Sequence, residues 1–288
     1  MRLGRYVSPT TEHWGFVADG AIRPAPVDAP PLLAALTGGD LDQLRTRAGA
    51  PLPLDTVRLT APIPRPGKLV CVGLNYRAHA LESGLPVPTE PLLFLKYPES
   101  VTGPRDPIEL PPESRQVDWE VELAVVIGRP IERVSRAAAL GAVVAFAVAN
   151  DVSARDLQAR DGQWVRAKSF RSFCPFGPWL TTADEVGDGS GLDITLAVNG
   201  VVKQHSTTSD LIADVARVVQ YASDVAPLHP GDVILTGTPA GTGIGRQPAE
   251  FLVPGDVVEA RISGLGELVN PVIAHSTAPP PEGSARPS

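Results

Sequence analysis

Val117-Asp118-Trp119-Glu120-Val121-Glu122-Leu123-Ala124-Val125-Val126-Ile127-Gly128 is the stretch on which the reading of the fold turns. In its first half Asp118, Glu120 and Glu122 alternate with Trp119, Val121 and Leu123, the period of two that a β-strand imposes on its side chains. The three carboxylates therefore share one strand face. Either that face is solvated, or the glutamates hold a hard cation such as Mg²⁺ or Mn²⁺, which takes carboxylate oxygens from a rigid backbone. The second half, Ala124 to Ile127, has no polar alternation and predicts a strand buried on both faces. That favours a cation, provided a third ligand exists.

The 288 residues are 43% hydrophobic and 20% charged, enough for one large domain or one with a small partner. The net charge of −7 and the lack of any Lys/Arg cluster argue against nucleic acid or an anionic membrane as partner. An anionic substrate must then be met locally, by a metal or a few placed cations. Cys71 and Cys174 have no CxxC spacing, so neither a disulfide scaffold nor a zinc knuckle is expected, and a cytoplasmic location fits. The longest apolar run, 142–149, is far short of a membrane span, and no signal peptide is read behind Met1.

Residues 1–64 read as a small, Pro-rich, β-rich N-terminal domain with a hairpin over 2–17 and short helices over 31–36 and 40–48. A buried strand at 68–73 leads into a short helix over 74–84, where His79 and Glu82 lie three apart on one face. They form a surface pair or, if the segment hinges at its flanking glycines, an acid–base pair on a lid. A strand at 92–96 and a proline-containing loop over 98–112 precede the opening stretch. Asp151 ends an apolar strand and begins a helical segment, which makes it either an N-cap or the third carboxylate. Lys168, among Trp164, Phe170 and Phe173, is either a snorkelling lysine or a fixed ammonium beside those carboxylates.

Asn199-Gly200 predicts a type I′ hairpin turn, and residues 209–221 an amphipathic helix with Asp210 near its start. The Gly-rich loop 235–243 lacks the Walker lysine and the Rossmann spacing, which excludes a nucleotide phosphate loop. Its amides and Thr238 could still hold an oxyanion. The tail, 277–288, is expected to be disordered.

Six blocks in order, GLNYRAHALESG from Gly73, PLLFLK from Pro91, VDWEVELAVVIG from Val117, ANDVSARDLQ from Ala149, WVRAKSF from Trp164 and HPGDVILTGTPAG from His229, resemble the fumarylacetoacetate hydrolase family. The resemblance implies a mixed β (α+β) fold: a rolled mixed β-sheet catalytic domain, 65–276, with few short helices, commonly a homodimer. It implies one divalent cation, Mg²⁺ or Mn²⁺, on Glu120, Glu122 and Asp151. It makes His79, Glu82 and Lys168 the catalytic residues and sets Tyr76, Gln158 and Thr238 against the substrate. Asp118 receives no role beyond a supporting one. Tyr97-Pro98-Glu99 and Arg171 depart from many relatives, and with loops 97–105 and 171–176 they are expected at the substituent end of the substrate.

The implied substrate is a small 2-oxo acid. The favoured expectation is a hydrolase that cleaves a 3-acylpyruvate to pyruvate and a carboxylic acid, with His79 activating water. Decarboxylation of an oxaloacetate-like β-keto acid, or isomerisation of an unsaturated 2-oxo-dioate, uses the same enolate and stays open. A binding protein on the same fold would have lost a carboxylate or Lys168, and both are present.

Overall fold

The computed structural model describes residues 1–8 and 11–275; the expected disordered tail lies outside the described residues. Its centre is the Val121–Ile127 strand, buried at every position. It pairs antiparallel with Val143–Asn150 on one side and with Val233–Leu235 on the other. Alternation sends Leu123, Val125 and Ile127 into one core and Ala124 and Val126 into another. The apolar half of the opening stretch is thus unbroken because both faces are covered.

The large mixed sheet has twelve strands and runs from the N-terminal strands through Arg2–Ser8, Cys174–Thr182 and Val143–Asn150 to the edge strand Leu92–Lys96. Its pairings are mostly antiparallel; Val233–Leu235 runs parallel to Leu69–Gly73. A second sheet of five strands includes Asp193–Val198, Val201–Thr207 and Val257–Ile262. Its Ile194, Leu196 and Ile262 share a core with Leu123, Val125 and Phe146. On the opposite face, Leu32, Ala35 and Leu36 of the short N-terminal helix Leu32–Gly38 cover Ala124 and Val126. Phe146 is completely buried where the two sheets meet, so Phe146→Ala is expected to cost about 3–5 kcal/mol, read from the denaturant midpoint.

The expected hairpin forms between Asp193–Val198 and Val201–Thr207, with positive φ at Asn199 (52°) and Gly200 (75°) as a type I′ turn requires. The amphipathic helix begins later than expected, at Val215, because Asp214 rather than Asp210 accepts the first-turn amide, that of Arg217. The region expected to be loop, 98–112, contains two short strands, Val101–Thr102 and Ile108–Leu110, recruited by parallel pairing to distant partners. Such pairing leaves no local pattern in so few residues. Both cysteines are free and buried, and no helix among the described residues is long and apolar enough to cross a membrane.

Candidate active site

Register builds the carboxylate cluster. Val121 lies opposite Asn150 in the antiparallel pair, so the start of one strand and the end of its neighbour meet. The Asp151 amide closes that end by donating to the Glu120 carbonyl (2.8 Å). Glu120, Glu122 and Asp151 each offer an oxygen within 4.8 Å of the others, and all three are buried. The solvated-face reading is therefore excluded. So is the N-cap reading of Asp151, because the following helix is Arg155–Asp161 and begins four residues later.

Cations bracket two of the three acids. Lys168, the last residue of the helix Val165–Lys168, donates to Glu120 Oε2 (2.7 Å) and Asp151 Oδ2 (2.8 Å). Lys96, at the end of the edge strand, donates to Asp151 Oδ1 (2.6 Å). Arg155 reaches Glu120 Oε1, Asp118 Oδ1 and Gln158 Oε1. Burial alone would raise Glu120, but Arg155 and Lys168 hold its carboxyl well below the usual range. Glu122 has no lysine or arginine bonded to it: burial, then the charges of Asp151 and Glu120, push it well above, against a smaller opposing pull from Lys168. Burial would lower Lys168, yet Asp151 and Glu120 raise it, so it stays an ammonium, with Nζ 5.1 Å from the centroid of the Phe94 ring.

This donor set fits a divalent cation. It is all oxygen, carried on sheet backbone, and contains one acid, Glu122, that is bonded to a backbone amide and to no cationic side chain.

The helix Arg77–Glu82 lies above the cluster, and His79 Nδ1 faces Glu82 Oε2 at 3.2 Å. His79 is buried rather than on the surface. The helix root is fixed by Asn75, whose side chain bonds Ala213 twice and the Thr236 carbonyl once. A cavity of about 280 Å³ brings together His79, Glu120, Glu122, Gln158, Lys168 and Thr238. Arg155, Phe94, Trp164, Leu85 and Ile244 complete much of its wall. Asp151 and Glu82 stand behind that wall, joined to it through Lys168 and His79. Tyr76 is buried but is not among the lining residues, and its hydroxyl has no partner among the described residues. The Thr238 hydroxyl donates to the Val121 carbonyl (3.0 Å) and accepts from Gln204 Nε2 (2.8 Å).

The Gly-rich loop holds oxyanions, and they are the protein's own. Gly237 N donates to Glu122 (2.6 Å), Gly241 N to Glu82 (2.9 Å) and Ile244 N to Asp118 (2.8 Å). Gly237 takes φ of 102°, and a Cβ there would sit 2.7 Å from Asn75 Cβ, so only glycine delivers that amide.

Two expectations about surroundings are corrected. Tyr97, Pro98, Glu99 and Arg171 do not line the cavity; Pro98, Glu99 and Arg171 border a separate groove with Arg58 and Arg65, because Val101–Thr102 turns away to pair with Cys174–Thr182. The cavity's outer end is instead Ser83, Leu85, Gln158, Ala159, Trp164 and Ile244. Sequence reasoning gave no role to Lys96 or Arg155, although both lie inside quoted blocks. The available signal was a lysine closing an apolar run at Lys96 and an arginine between two aspartates, Asp151 and Asp156, at Arg155.

Residues 68–273 match the family described as fumarylacetoacetate (FAA) hydrolase, C-terminal. The mitochondrial oxaloacetate tautomerase FAHD2A of Bos taurus is 47% identical over 224 residues, covering 77% of this chain and 71% of that protein. Among solved structures, 2-hydroxyhepta-2,4-diene-1,7-dioate isomerase from Mycobacterium marinum is 40% identical with a TM-score of 0.78, covering 96% of this chain and 99% of that one. Fumarylacetoacetate hydrolase from Exiguobacterium antarcticum is 36% identical with a TM-score of 0.85, covering 96% and 100%. The expected cytoplasmic location is contradicted by the tautomerase relatives, which are named as mitochondrial. Two free cysteines do not distinguish one compartment in which thiols stay reduced from another. On the match across 68–273 and these identities, the chain belongs to the fumarylacetoacetate hydrolase family.

Proposed function

We propose that the chain is a divalent-metal-dependent tautomerase or isomerase of a small 2-oxo dicarboxylate, moving a proton along an enol system without breaking a C–C bond. The observation that carries this is the shared cavity: His79 of the acid–base pair and Glu120 and Glu122 of the carboxylate cluster line the same space of about 280 Å³, with Glu82 and Asp151 directly behind them. The names of similar proteins support it, since several are oxaloacetate tautomerases or isomerases of unsaturated dioates. These similarities favour isomerisation over the acylpyruvate hydrolysis expected from the sequence.

Glu120, Glu122 and Asp151 would hold the cation, and what it supplies when bound is Lewis-acid stabilisation of negative charge on a 2-oxo group. The remaining work belongs to side chains. Glu82 accepts from His79 Nδ1, which leaves Nε2 with a lone pair for the substrate. Nε2 takes a proton from the carbon next to the oxo group and returns it to the oxygen or to a more distant carbon of the same conjugated system. No water is consumed, and Leu85, Phe94, Trp164 and Ile244 give that part of the cavity an apolar wall. Lys168 and Arg155 keep Glu120 ionised throughout. Gln158 offers an amide to a distal carboxylate.

The test is product analysis with Mg²⁺ or Mn²⁺ present. Enol absorbance of oxaloacetate, or of an unsaturated 2-oxo-dioate, should relax faster with enzyme and return to the background rate with EDTA, with no stoichiometric pyruvate. Pyruvate with a second carboxylic acid, formed from an acylpyruvate at the faster rate, would replace this reading with the hydrolase. Stoichiometric CO₂ from oxaloacetate would replace it with the decarboxylase.

A further inference from the structure

Asp118 is completely buried, lines no part of the cavity and belongs to no ligand set, yet both its oxygens are committed. Oδ1 accepts from Arg155 Nε (2.8 Å), and Oδ2 accepts from the Ile244 amide (2.8 Å). Each partner leads elsewhere. Arg155 continues to Glu120 and to Gln158. Ile244 belongs to the turn whose Gly241 amide (2.9 Å) and Thr242 hydroxyl (3.2 Å) grip the Glu82 carboxylate. The turn is also held at Gly241, whose carbonyl accepts from Trp119 Nε1 (3.1 Å), and at Gly243, whose carbonyl accepts from the Glu250 amide (2.9 Å). A carboxylate needed only to neutralise Arg155 would have no use for a backbone amide on a separate loop, and Glu120 already faces that guanidinium.

We propose that Asp118 is a positioning residue: by holding the 241–245 turn against Arg155, it fixes the seat that receives Glu82, and so sets the His79–Glu82 pair in register with the carboxylates below. The bonds run without a gap from His79 through Glu82, the turn, Asp118 and Arg155 to Glu120. Bonds to an ionised acceptor are the strong ones, which suits a seat that must hold Glu82 in one position. The inference rests on His79 and Glu82 being the proton-carrying pair.

Amide hydrogen exchange of the full chain tests it without relying on turnover. The amides of Ala80, Ser83, Gly84 and Leu85 are bonded within the lid and report its opening. Asp118→Asn keeps the shape and removes the charge. It should speed exchange of these four amides about fivefold or more, while Val121–Ile127 and Val143–Asn150 keep wild-type rates. Its kcat should fall about tenfold, because the seat sets the dyad.

Gly243→Ala approaches from the other side. A Cβ there would come within 2.1 Å of the Glu250 carbonyl oxygen, 2.8 Å of Asp118 Cβ and 3.1 Å of Asp118 Oδ2, pushing the turn off its anchor while every ionisable side chain is kept. The same acceleration in the lid is expected, and this variant decides the matter should the asparagine variant not fold. Lid exchange at the wild-type rate in whichever variant folds, or acceleration shared equally by the sheet strands, overturns the proposal. A failure of the proposed reaction would appear instead as missing isomerase turnover in the wild-type chain, with the exchange result unaffected.

Discussion

Glu122→Gln is expected to abolish Mg²⁺ binding in calorimetry and to lower turnover on the order of 10³-fold, while leaving the metal-free fold nearly as stable as before. The asymmetry comes from the neighbours. Glu120 sits between Arg155 and Lys168, and Asp151 between Lys96 and Lys168, but Glu122 meets only the Gly237 amide. Glutamine retains an oxygen for that amide and removes a carboxylate that Asp151 and Glu120 disfavour in its charged form. Unfolding free energy should therefore stay within about 1 kcal/mol of wild type. Glu120→Gln should also lose activity but cost about 3 kcal/mol or more, since it strips a buried arginine and a buried lysine of a partner. Retained Mg²⁺ affinity in Glu122→Gln would show that the three carboxylates are not the cation site.

His79→Asn should lower kcat by about 10² to 10⁴ with Mg²⁺ affinity unchanged, because His79 is proposed to carry the proton and is not among the clustered ligands. Glu82→Gln should fall between this variant and wild type. It leaves the ring in place but removes the anion that fixes the proton on Nδ1, and burial of Glu82 is outweighed by His79, the Gly241 amide and Thr242, which hold it below its ordinary range. If His79→Asn turned over within threefold of wild type, the proton would have to travel by another group.

The centre of the fold was legible because the run from Ala124 to Ile127 had one physical explanation, burial on both faces, and the structure has it buried throughout. The Asn199-Gly200 hairpin was legible for a similar reason: its turn type demands two residues that tolerate positive φ. The large sheet was not, since Leu69–Gly73 beside Val233–Leu235 joins segments more than 150 residues apart, and nothing local encodes such pairing. In the candidate site, the carboxylates could be suspected from alternation, but their convergence depends on the register of Val121 against Asn150. Arg155 and Lys96 went unassigned because a buried cation looks, in one dimension, like any surface lysine or arginine. The substituent end was misplaced because chain proximity to Lys96 was taken for spatial proximity to the cavity.

The buried charges around the cluster carry a kinetic consequence. Four carboxylates, Asp118, Glu120, Glu122 and Asp151, face three cations, Lys96, Arg155 and Lys168. Ionising all of them, as a bound cation requires, leaves one unmatched negative charge, which burial, Asp151 and Glu120 disfavour at Glu122 and which would repel the dianion the enzyme is proposed to transform. A dication reverses that sign. Metal should therefore be the compulsory first arrival, and initial-rate patterns at varied Mg²⁺ and substrate should obey ordered addition rather than random addition.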